Sequence, residues 1–587
     1  MVNLKINGIA LEVENGTTIL DAARKINIKI PTLCYNPDLP PWAACGLCIV
    51  RMEGSPKMVR ACTTPVAENM SVITHDAEII TVRRTVLELI LSNHPNDCLQ
   101  CPRNGNCELQ TLAAEFGIRE SPFRKVLNGL PVDDSNPAII LNPEKCIRCG
   151  RCVKVCQEMQ NVWALEFLGR GIKGRIASAA GIPLGESPCI KCGQCAAHCP
   201  VGAIYERDDT IKVWAALQNP EVYPVVQIAP AVRVALAEEF GLKPGSLLTK
   251  QIYAALRRLG FKTVFDTNFS ADLTIMEEGT ELVKRLTEKA KGGKTDIPLI
   301  TSCCPAWVDY MEKYYADMIP NFSTAKSPQQ MMGAMIKAYW AAKAGLDPDK
   351  VYSVSVMPCT AKKWETKRND DMKSAGHGYD VDIAITTREL ARMIKQAGIE
   401  ILKLPEEEAD SPLGPYTGAG TIFGVTGGVM EAAVRSAYFL VTGKELQDVN
   451  FKSVRGIEGV KEAEVDFGNG TTIRIAVAHQ MGNIADVLNR IRAARETGQE
   501  SPYQFVEVMA CRGGCVGGGG QPYGCTDAIR SQRTAGLYED DVKSKYRCSH
   551  QNPFIKQVYD EFLGEPSGHK AHELLHTKYV ERPLYLK

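Results

Sequence analysis

The chain has 587 residues, 45% hydrophobic and 23% charged, and its 68 Lys and Arg residues are matched by 68 Asp and Glu. A chain of this length holds several domains, and zero net charge argues against a broad nucleic-acid-binding surface. The start, MVNLKINGIALEV, is no export signal of the usual kind, and no apolar run is long enough to span a bilayer, so the expectation is a cytoplasmic protein without membrane contact. The 22 cysteines fall in tight clusters at ligand-like spacings, which in a long chain of this kind points to metal ligation in a reducing compartment rather than disulfides. Zinc is the competitor to iron–sulfur chemistry at each cluster.

In chain order, Leu4–Ile6 and Ile9–Val13 flank Asn7-Gly8, a hairpin signal with a type I′ turn. Thr17 or Thr18 can cap a helix running to about Ile26. Cys34, Cys45 and Cys48 follow in a Pro-rich loop, and Cys62 comes later in VRACTTPV. Hairpin, helix, cysteine loop and distal cysteine resemble the plant-type ferredoxin (β-grasp) fold over 1–78, with four thiolates around a [2Fe–2S] cluster. Ten residues separate Cys34 from Cys45, slightly off the common spacing, which removes no ligand.

Ile79 to Leu91 is periodic and helical. It leads into His94, Cys98, Cys101 and Cys107, one imidazole and three thiolates that suit zinc as well as iron. Their order resembles the His-Cys₃ [4Fe–4S] segment of complex I large Fe–S subunits and of multi-cluster hydrogenases, here over 79–122. An internal repeat follows over 138–210: Cys146, Cys149, Cys152 and Cys156, then Cys189, Cys192, Cys195 and Cys199 with Pro200 behind it. It is the two-cluster bacterial ferredoxin pattern, in which the fourth cysteine of each run serves the other cluster. One [4Fe–4S] then takes Cys146, Cys149, Cys152 and Cys199, and the other takes Cys189, Cys192, Cys195 and Cys156.

From about Tyr223 strand-like and helical runs alternate, which argues for an α/β architecture, so the fold class is multidomain, α+β followed by α/β. YPVVQIAP, KTVFDT and IPLITS read as strands; AVRVALAEEF, ended by Gly241, and ADLTIMEEGTELVKRLTEKA read as helices. Cys303 and Cys304, Cys359, and Cys511 each follow an apolar β-branched run. Ligands of α/β sheets bind at the carboxyl ends of strands, so these ends and Cys515 can bring thiolates together from distant positions.

TSCCPAW (Thr301 to Trp307), MPCTAKKWE (Met357 to Glu365) and EVMACRGGCVGGGGQP (Glu507 to Pro522) resemble the three signature motifs of [FeFe] hydrogenases, intact and in order. The resemblance covers essentially the whole chain and makes 222–587 a catalytic domain. It implies an H-cluster, a [4Fe–4S] cube joined through one cysteine to a two-iron subsite with CO, cyanide and azadithiolate, and reversible conversion of protons and electrons to H₂. By motif position Cys304, Cys359, Cys511 and Cys515 hold the cube, with Cys515 bridging to the subsite. Cys303 is the spare thiol that passes protons to the bridging amine. The family's proton path would run Arg285, Glu281, Ser323, Glu278, Cys303; Glu278, Glu281 and Arg285 share one helix face by spacing. Lys362 would donate to a cyanide, Met357 and Met509 would line the subsite, and Pro230, Ala231 and Gln329 are further contacts to it. The glycines around Cys511 and Cys515 would give close backbone approach at the junction.

Other signals carry less. His572-Glu573-Leu574-Leu575-His576 matches the HExxH zinc pattern, but no further ligand follows and the tail itself resembles that of this hydrogenase group. Gly517 to Gly520 and Gly418-Ala419-Gly420 complete no nucleotide motif, so neither nucleotide nor flavin is expected in this chain. Cys525 and Cys548 are left over and read as packing. The resemblance further implies three accessory [4Fe–4S] clusters and one [2Fe–2S], ferredoxin as a carrier, flavin- and NAD(P)-binding partner subunits of a bifurcating or NAD(P)-reducing complex, and maturation proteins. The alternatives are a stand-alone ferredoxin-linked hydrogenase, a complex-I-like relay subunit and an Fe–S assembly protein; the last two fit poorly with the intact motifs and with Cys303.

Overall fold

The computed structural model describes residues 1–467 and 472–586, gathered into two units. One holds Met1–Met159, Trp163–Ser187 and His198–Tyr205; the other holds Gln160–Val162, Pro188–Ala197 and Glu206–Lys587. The 138–210 repeat therefore contributes to both.

In the first unit Val2–Ile6 pairs antiparallel with Ile9–Val13 across Asn7 and Gly8, both at positive φ as a type I′ turn requires. Val2–Ile6 also pairs in parallel with Met70–Ile73, and Ile49–Met52 and Met58–Arg60 complete a five-stranded sheet. Val2, Leu4 and Ile6 alternate inward, where they meet Leu20 and Ala23 of the helix Ile19–Lys25, capped by the Thr18 hydroxyl on the Asp21 N–H at 3.1 Å. Asp76 caps the next helix, Ala77–Ser92, whose end delivers His94.

The second unit is built on two four-stranded sheets. One is wholly parallel, in the order Thr263–Asp266, Tyr223–Ile228, Val351–Met357, Ile383–Thr386. In the other, Leu299–Ile300, Phe505–Met509 and Thr472–His479 are parallel, and Val460–Asp466 forms an antiparallel edge. Continuous β-branched runs suit strands covered on both faces. A buried helix, Thr267–Ala290, is capped by Asp266, which also holds the Arg233 guanidinium at 2.8 and 2.9 Å.

One expected helix is absent. AVRVALAEEF forms only short 3₁₀ turns, Pro230–Val232 and Leu236–Phe240. Carbonyls a helix would use are taken from elsewhere: Gly245 N–H donates to Val234 O at 3.0 Å and Leu248 N–H to Arg233 O at 3.4 Å. Ala231 to Ala237 are buried on all sides, so tertiary contacts outweigh local helix propensity. The strand in IPLITS is also shorter than expected, two residues at Leu299–Ile300. Among the described residues no helix is long and apolar enough to cross a membrane.

Candidate metal centres and active site

The first unit brings several of its cysteines together. The Cys34 and Cys45 sulfurs lie 3.4 Å apart and those of Cys48 and Cys62 3.3 Å apart. The thiol of Cys34 holds its proton against the Cys45 thiolate it bonds, which leaves Cys45 pushed down to about 5; the Cys62–Cys48 pair shows the same asymmetry. Coulombic coupling also links Cys62 to Cys34 and Cys45. A cavity is lined by Cys146, Cys149, Cys152 and Cys199, the first three cysteines of one run with the last of the other.

His94 is 7% exposed. Its Nδ1 faces the Asn96 backbone N–H and side-chain oxygen, both at 3.2 Å, while Nε2 is buried without a hydrogen-bond partner. A buried imidazole nitrogen left bare is costly, and a metal bond would satisfy it. Cys98 and Cys107 line the same pocket as His94, and a Cβ on Gly202 would sit 2.5 Å from the Cys101 sulfur.

In the second unit the strand ends do what their sequence implies. Ile300 leads to Cys303 and Cys304, Met357 to Cys359, and Met509 to Cys511. The Cys511 thiol is pushed far up by burial and then by the charges of Cys359, Cys304 and Cys515; Cys359, raised to about 12, feels burial and Cys304. Cys515 is likewise raised by burial, Cys304 and Cys359. Four sulfurs therefore converge, with Lys362 as the cation that opposes each rise at Cys304, Cys359 and Cys515. This buried, electron-rich, sulfur-only donor set fits an iron–sulfur cube.

The glycines also make close approaches within the protein. A Cβ on Gly518 would lie 2.2 Å from Pro358 O, one on Gly519 2.3 Å from Cys192 O, and one on Gly520 2.9 Å from the Thr386 side chain. They let the segment lie directly on the loops that carry Cys359 and Cys192.

Beside the cysteines runs a polar file. Arg285 reaches Glu281 Oε1 at 2.6 Å and the carbonyls of Asp296, Pro320 and Phe322 at 2.8, 3.0 and 3.0 Å. Glu281 Oε2 accepts from the Thr324 N–H at 3.4 Å, next to Ser323. Glu278 is fully buried, and neither carboxylate oxygen makes a hydrogen bond of good geometry. Burial pushes it up to about 8; Ser323 and the Ser302 amide stand near enough to moderate that rise without closing a bond. Cys303 is raised first by burial and next by the charge of Glu278, so thiol and carboxyl lie within electrostatic reach of each other. Arg285 and Glu281 are partly exposed, so polar groups lead from the surface to Cys303.

Lys362 Nζ donates to Cys303 O at 3.2 Å and to Glu365 Oε2 at 2.8 Å. Gln329 donates to the same oxygen at 3.0 Å and accepts from Ser355 at 2.9 Å. Met357 and Met509 sit buried at their strand ends, with the Met509 sulfur 2.9 Å from where a Gly514 Cβ would be. Pro230 and Ala231 begin the 3₁₀ turn after Tyr223–Ile228.

Three residues escaped the motif reading. Glu365 also accepts from Ser327 at 2.9 Å and so fixes Lys362, Gln329 and Ser327 together; its position three after Lys362 was the available signal. Gln521 donates to Ala231 O at 2.9 Å, and Gln194 donates to Cys511 Sγ at 3.2 Å. Both lie inside the motifs, Gln521 in Glu507 to Pro522 and Gln194 between Cys192 and Cys195, but a glutamine at those positions carries no signal of its own. In the HExxH stretch His576 Nε2 faces Glu277 at 2.9 Å, its Nδ1 faces Thr324 Oγ1 at 2.7 Å, and Glu573 pairs outward with His569.

Among known families, "Iron only hydrogenase large subunit, C-terminal domain" matches residues 222–519. The chain belongs to the iron-only hydrogenases. "Iron hydrogenase small subunit" matches 527–582, so both descriptions fall on this one hydrogenase chain. Ahead of them, a 2Fe-2S iron-sulfur cluster binding domain matches 1–77, the NADH-ubiquinone oxidoreductase-G iron-sulfur binding region 83–122, and a 4Fe-4S dicluster domain 145–204. The hydrogenase is 46% identical to the NADP-reducing hydrogenase subunit HndD of Solidesulfovibrio fructosivorans, over 99% of both chains. It is 40% identical to iron hydrogenase 1 of Clostridium pasteurianum, over 99% of this chain and 100% of that one. A solved [FeFe]-hydrogenase from Chlamydomonas reinhardtii shares 44% identity at a TM-score of 0.57, covering 64% of this chain and all of that one. The protein is thus an enzyme of H₂ interconversion, with an H-cluster domain preceded by 2Fe–2S- and 4Fe–4S-binding domains.

Proposed function

We propose that this hydrogenase is the H₂-converting subunit of a cytoplasmic NADP-linked complex, with domains over 1–78, 79–122, 138–210 and 222–587. Its accessory cofactors would be one [2Fe–2S] and three [4Fe–4S] clusters. The observation that carries the reading is the identity to an NADP-reducing hydrogenase subunit along nearly the full length of both chains, accessory domains included. Flavin and the nicotinamide site would reside on partner subunits. Electron bifurcation with ferredoxin is the finer form of the same reading, and maturation proteins would install the two-iron subsite.

Cys304, Cys359, Cys511 and Cys515 would hold the cube, with Cys515 at the junction. When bound, the H-cluster supplies Lewis-acid iron and a positioned base, which together cleave or form H₂. The chain's own part is proton delivery and orientation. Glu278, unpaired and with its proton affinity lifted into the neutral range, would exchange protons with Cys303 on one side and with Ser323 and Glu281 on the other. Arg285 would hold Glu281 in register at the outer end. Lys362, fixed by Glu365, would present its ammonium to a cyanide ligand. Met357, Met509, Pro230, Ala231 and Gln329 would wall the subsite.

Infrared spectra of the protein isolated with its partners test the core of this: CO and cyanide bands are expected, together with H₂-dependent NADP⁺ reduction by the complex. Full H₂–ferredoxin turnover by the chain alone, with no copurifying flavoprotein, would favour a stand-alone enzyme. Cys303→Ser should keep the infrared bands and lose most turnover, on the order of 100-fold for a lost proton donor; near-normal turnover refutes the relay.

A further inference from the structure

The segment after the helix Gly428–Thr442 meets the turn Ser549–Gln551 far along the chain, and three side chains of different chemistry converge there. One ligand atom each from Glu445, Cys548 and His550 lies within 4.8 Å of the other two. His550 Nε2 stands 3.2 Å from both Glu445 oxygens. Such spacing is close to the edge of a tetrahedron whose centre lies about 2.0–2.2 Å from nitrogen and oxygen donors.

The surroundings orient the donors. His550 Nδ1 faces the Ser436 hydroxyl at 3.1 Å, which turns Nε2 toward the carboxylate, and Phe439 stacks on the ring at 4.3 Å. A partner on the far nitrogen is what ligating histidines use. Gln551 holds Glu445 Oε2 at 3.0 Å and accepts from the Cys548 N–H at 3.3 Å, tying the carboxylate to the loop that bears the thiol. Cys548 is 1% exposed, while the Glu445 side chain is 54% exposed and gives an ion a way in. Arg435 and Arg547 stand nearby and are paired with Glu431 and Asp541. A histidine–carboxylate hydrogen bond would explain Glu445 and His550 by themselves. It does not by itself place a buried sulfur beside both; that sulfur also accepts from the Gln551 N–H as the cap of the turn.

We propose that Glu445, Cys548 and His550 form a zinc site, separate from the iron–sulfur centres, that clasps the C-terminal segment to the body of the catalytic unit. One thiolate, one imidazole and one carboxylate are a zinc donor set, with water in the fourth position. Binding releases the thiol proton of Cys548 to solvent and changes no oxidation state.

The test uses the full chain with its clusters loaded, Zn²⁺ as the probe, and zinc and iron counted per chain after dialysis against a weak chelator. Wild-type protein should keep one zinc, with a zinc-edge absorption spectrum showing one sulfur at about 2.3 Å. Cys548→Ser and His550→Ala should each weaken retention about 100-fold, and Glu445→Gln, which leaves the buried ligands in place, about tenfold, all with iron unchanged. Equal zinc in wild type and all three variants, or a wild-type spectrum without sulfur, overturns the proposal. Glu445→Gln keeps it open to refutation should the buried substitutions fail to fold.

Discussion

Glu277 and Glu278 are neighbours on the helix Thr267–Ala290, equally buried, and live in opposite surroundings. Glu277 is saturated: the Tyr559 hydroxyl and the Ser567 N–H donate to it, the latter at 2.7 Å, and His576 Nε2 lies 2.9 Å away. Glu278 makes no hydrogen bond of good geometry and lies within electrostatic reach of Cys303. Consecutive helical residues point about 100° apart, so one carboxylate meets the C-terminal tail and the other the active site. The difference teaches that burial alone does not mark a functional acid. A satisfied carboxylate is architecture. A buried carboxylate without such bonds beside a reactive thiol is a candidate for function.

Replacing Glu278 should have the larger effect. Glu278→Gln keeps volume and burial but cannot exchange a proton, so turnover should fall on the order of 100-fold or more with iron content unchanged. Stability changes in the opposite sense. Burial pushes the folded carboxyl up to about 8 from the ordinary 4.5, so from about pH 4.5 upward the unfolded chain releases a proton that the folded chain keeps. Native stability is therefore lost as pH rises from about 4.5 to about 8, by on the order of a few kcal/mol. The Gln variant lacks that loss, so its thermal midpoint should rise relative to wild type at pH 8 and not at pH 4. Near-normal turnover would end the comparison as drawn.

Glu277→Gln and His576→Ala reverse the pattern. Each leaves buried polar groups unmatched, costing about 1–3 kcal/mol, read as a lower thermal midpoint. Turnover per folded molecule should stay within about threefold, because this network fixes the tail without touching Cys303. A turnover loss matching that of Glu278→Gln, in protein with full iron content, would make the tail network part of the proton path.

Sequence legibility follows the same line. His94, Cys98, Cys101 and Cys107 lie within a short stretch, so spacing alone discloses a four-ligand set, and the structure adds the bare Nε2. Cys304, Cys359, Cys511 and Cys515 become a group only when parallel strands set their ends together; their places after strand-like runs suggested it beforehand, and motif resemblance named the set. Periodicity could place Glu278, Glu281 and Arg285 on one face, yet it could not say that Glu277 is saturated by residues some 280 to 300 positions away. AVRVALAEEF misled for a related reason: its local pattern is helical, and long-range donors to Val234 and Arg233 decide otherwise. The glycines after Cys515 were legible as close approach, and within the protein they approach backbone at Pro358 and Cys192 and the Thr386 side chain.

Arg285→Lys should have the smallest effect and sharpens where control of the proton path lies. The guanidinium spans three carbonyls and Glu281 at once, which fixes both the loop 320–322 and the carboxylate. Lysine keeps the charge and can keep Glu281, but a single ammonium cannot reproduce the planar fork across the remaining carbonyls. The outer end should loosen while Glu278 and Cys303 stay in place, so turnover should drop by about three- to tenfold, with iron content and infrared bands unchanged. If the loss instead equals that of Glu278→Gln, the limiting transfer sits at the protein surface, and the unpaired carboxyl inside is a reservoir that fills faster than it is fed.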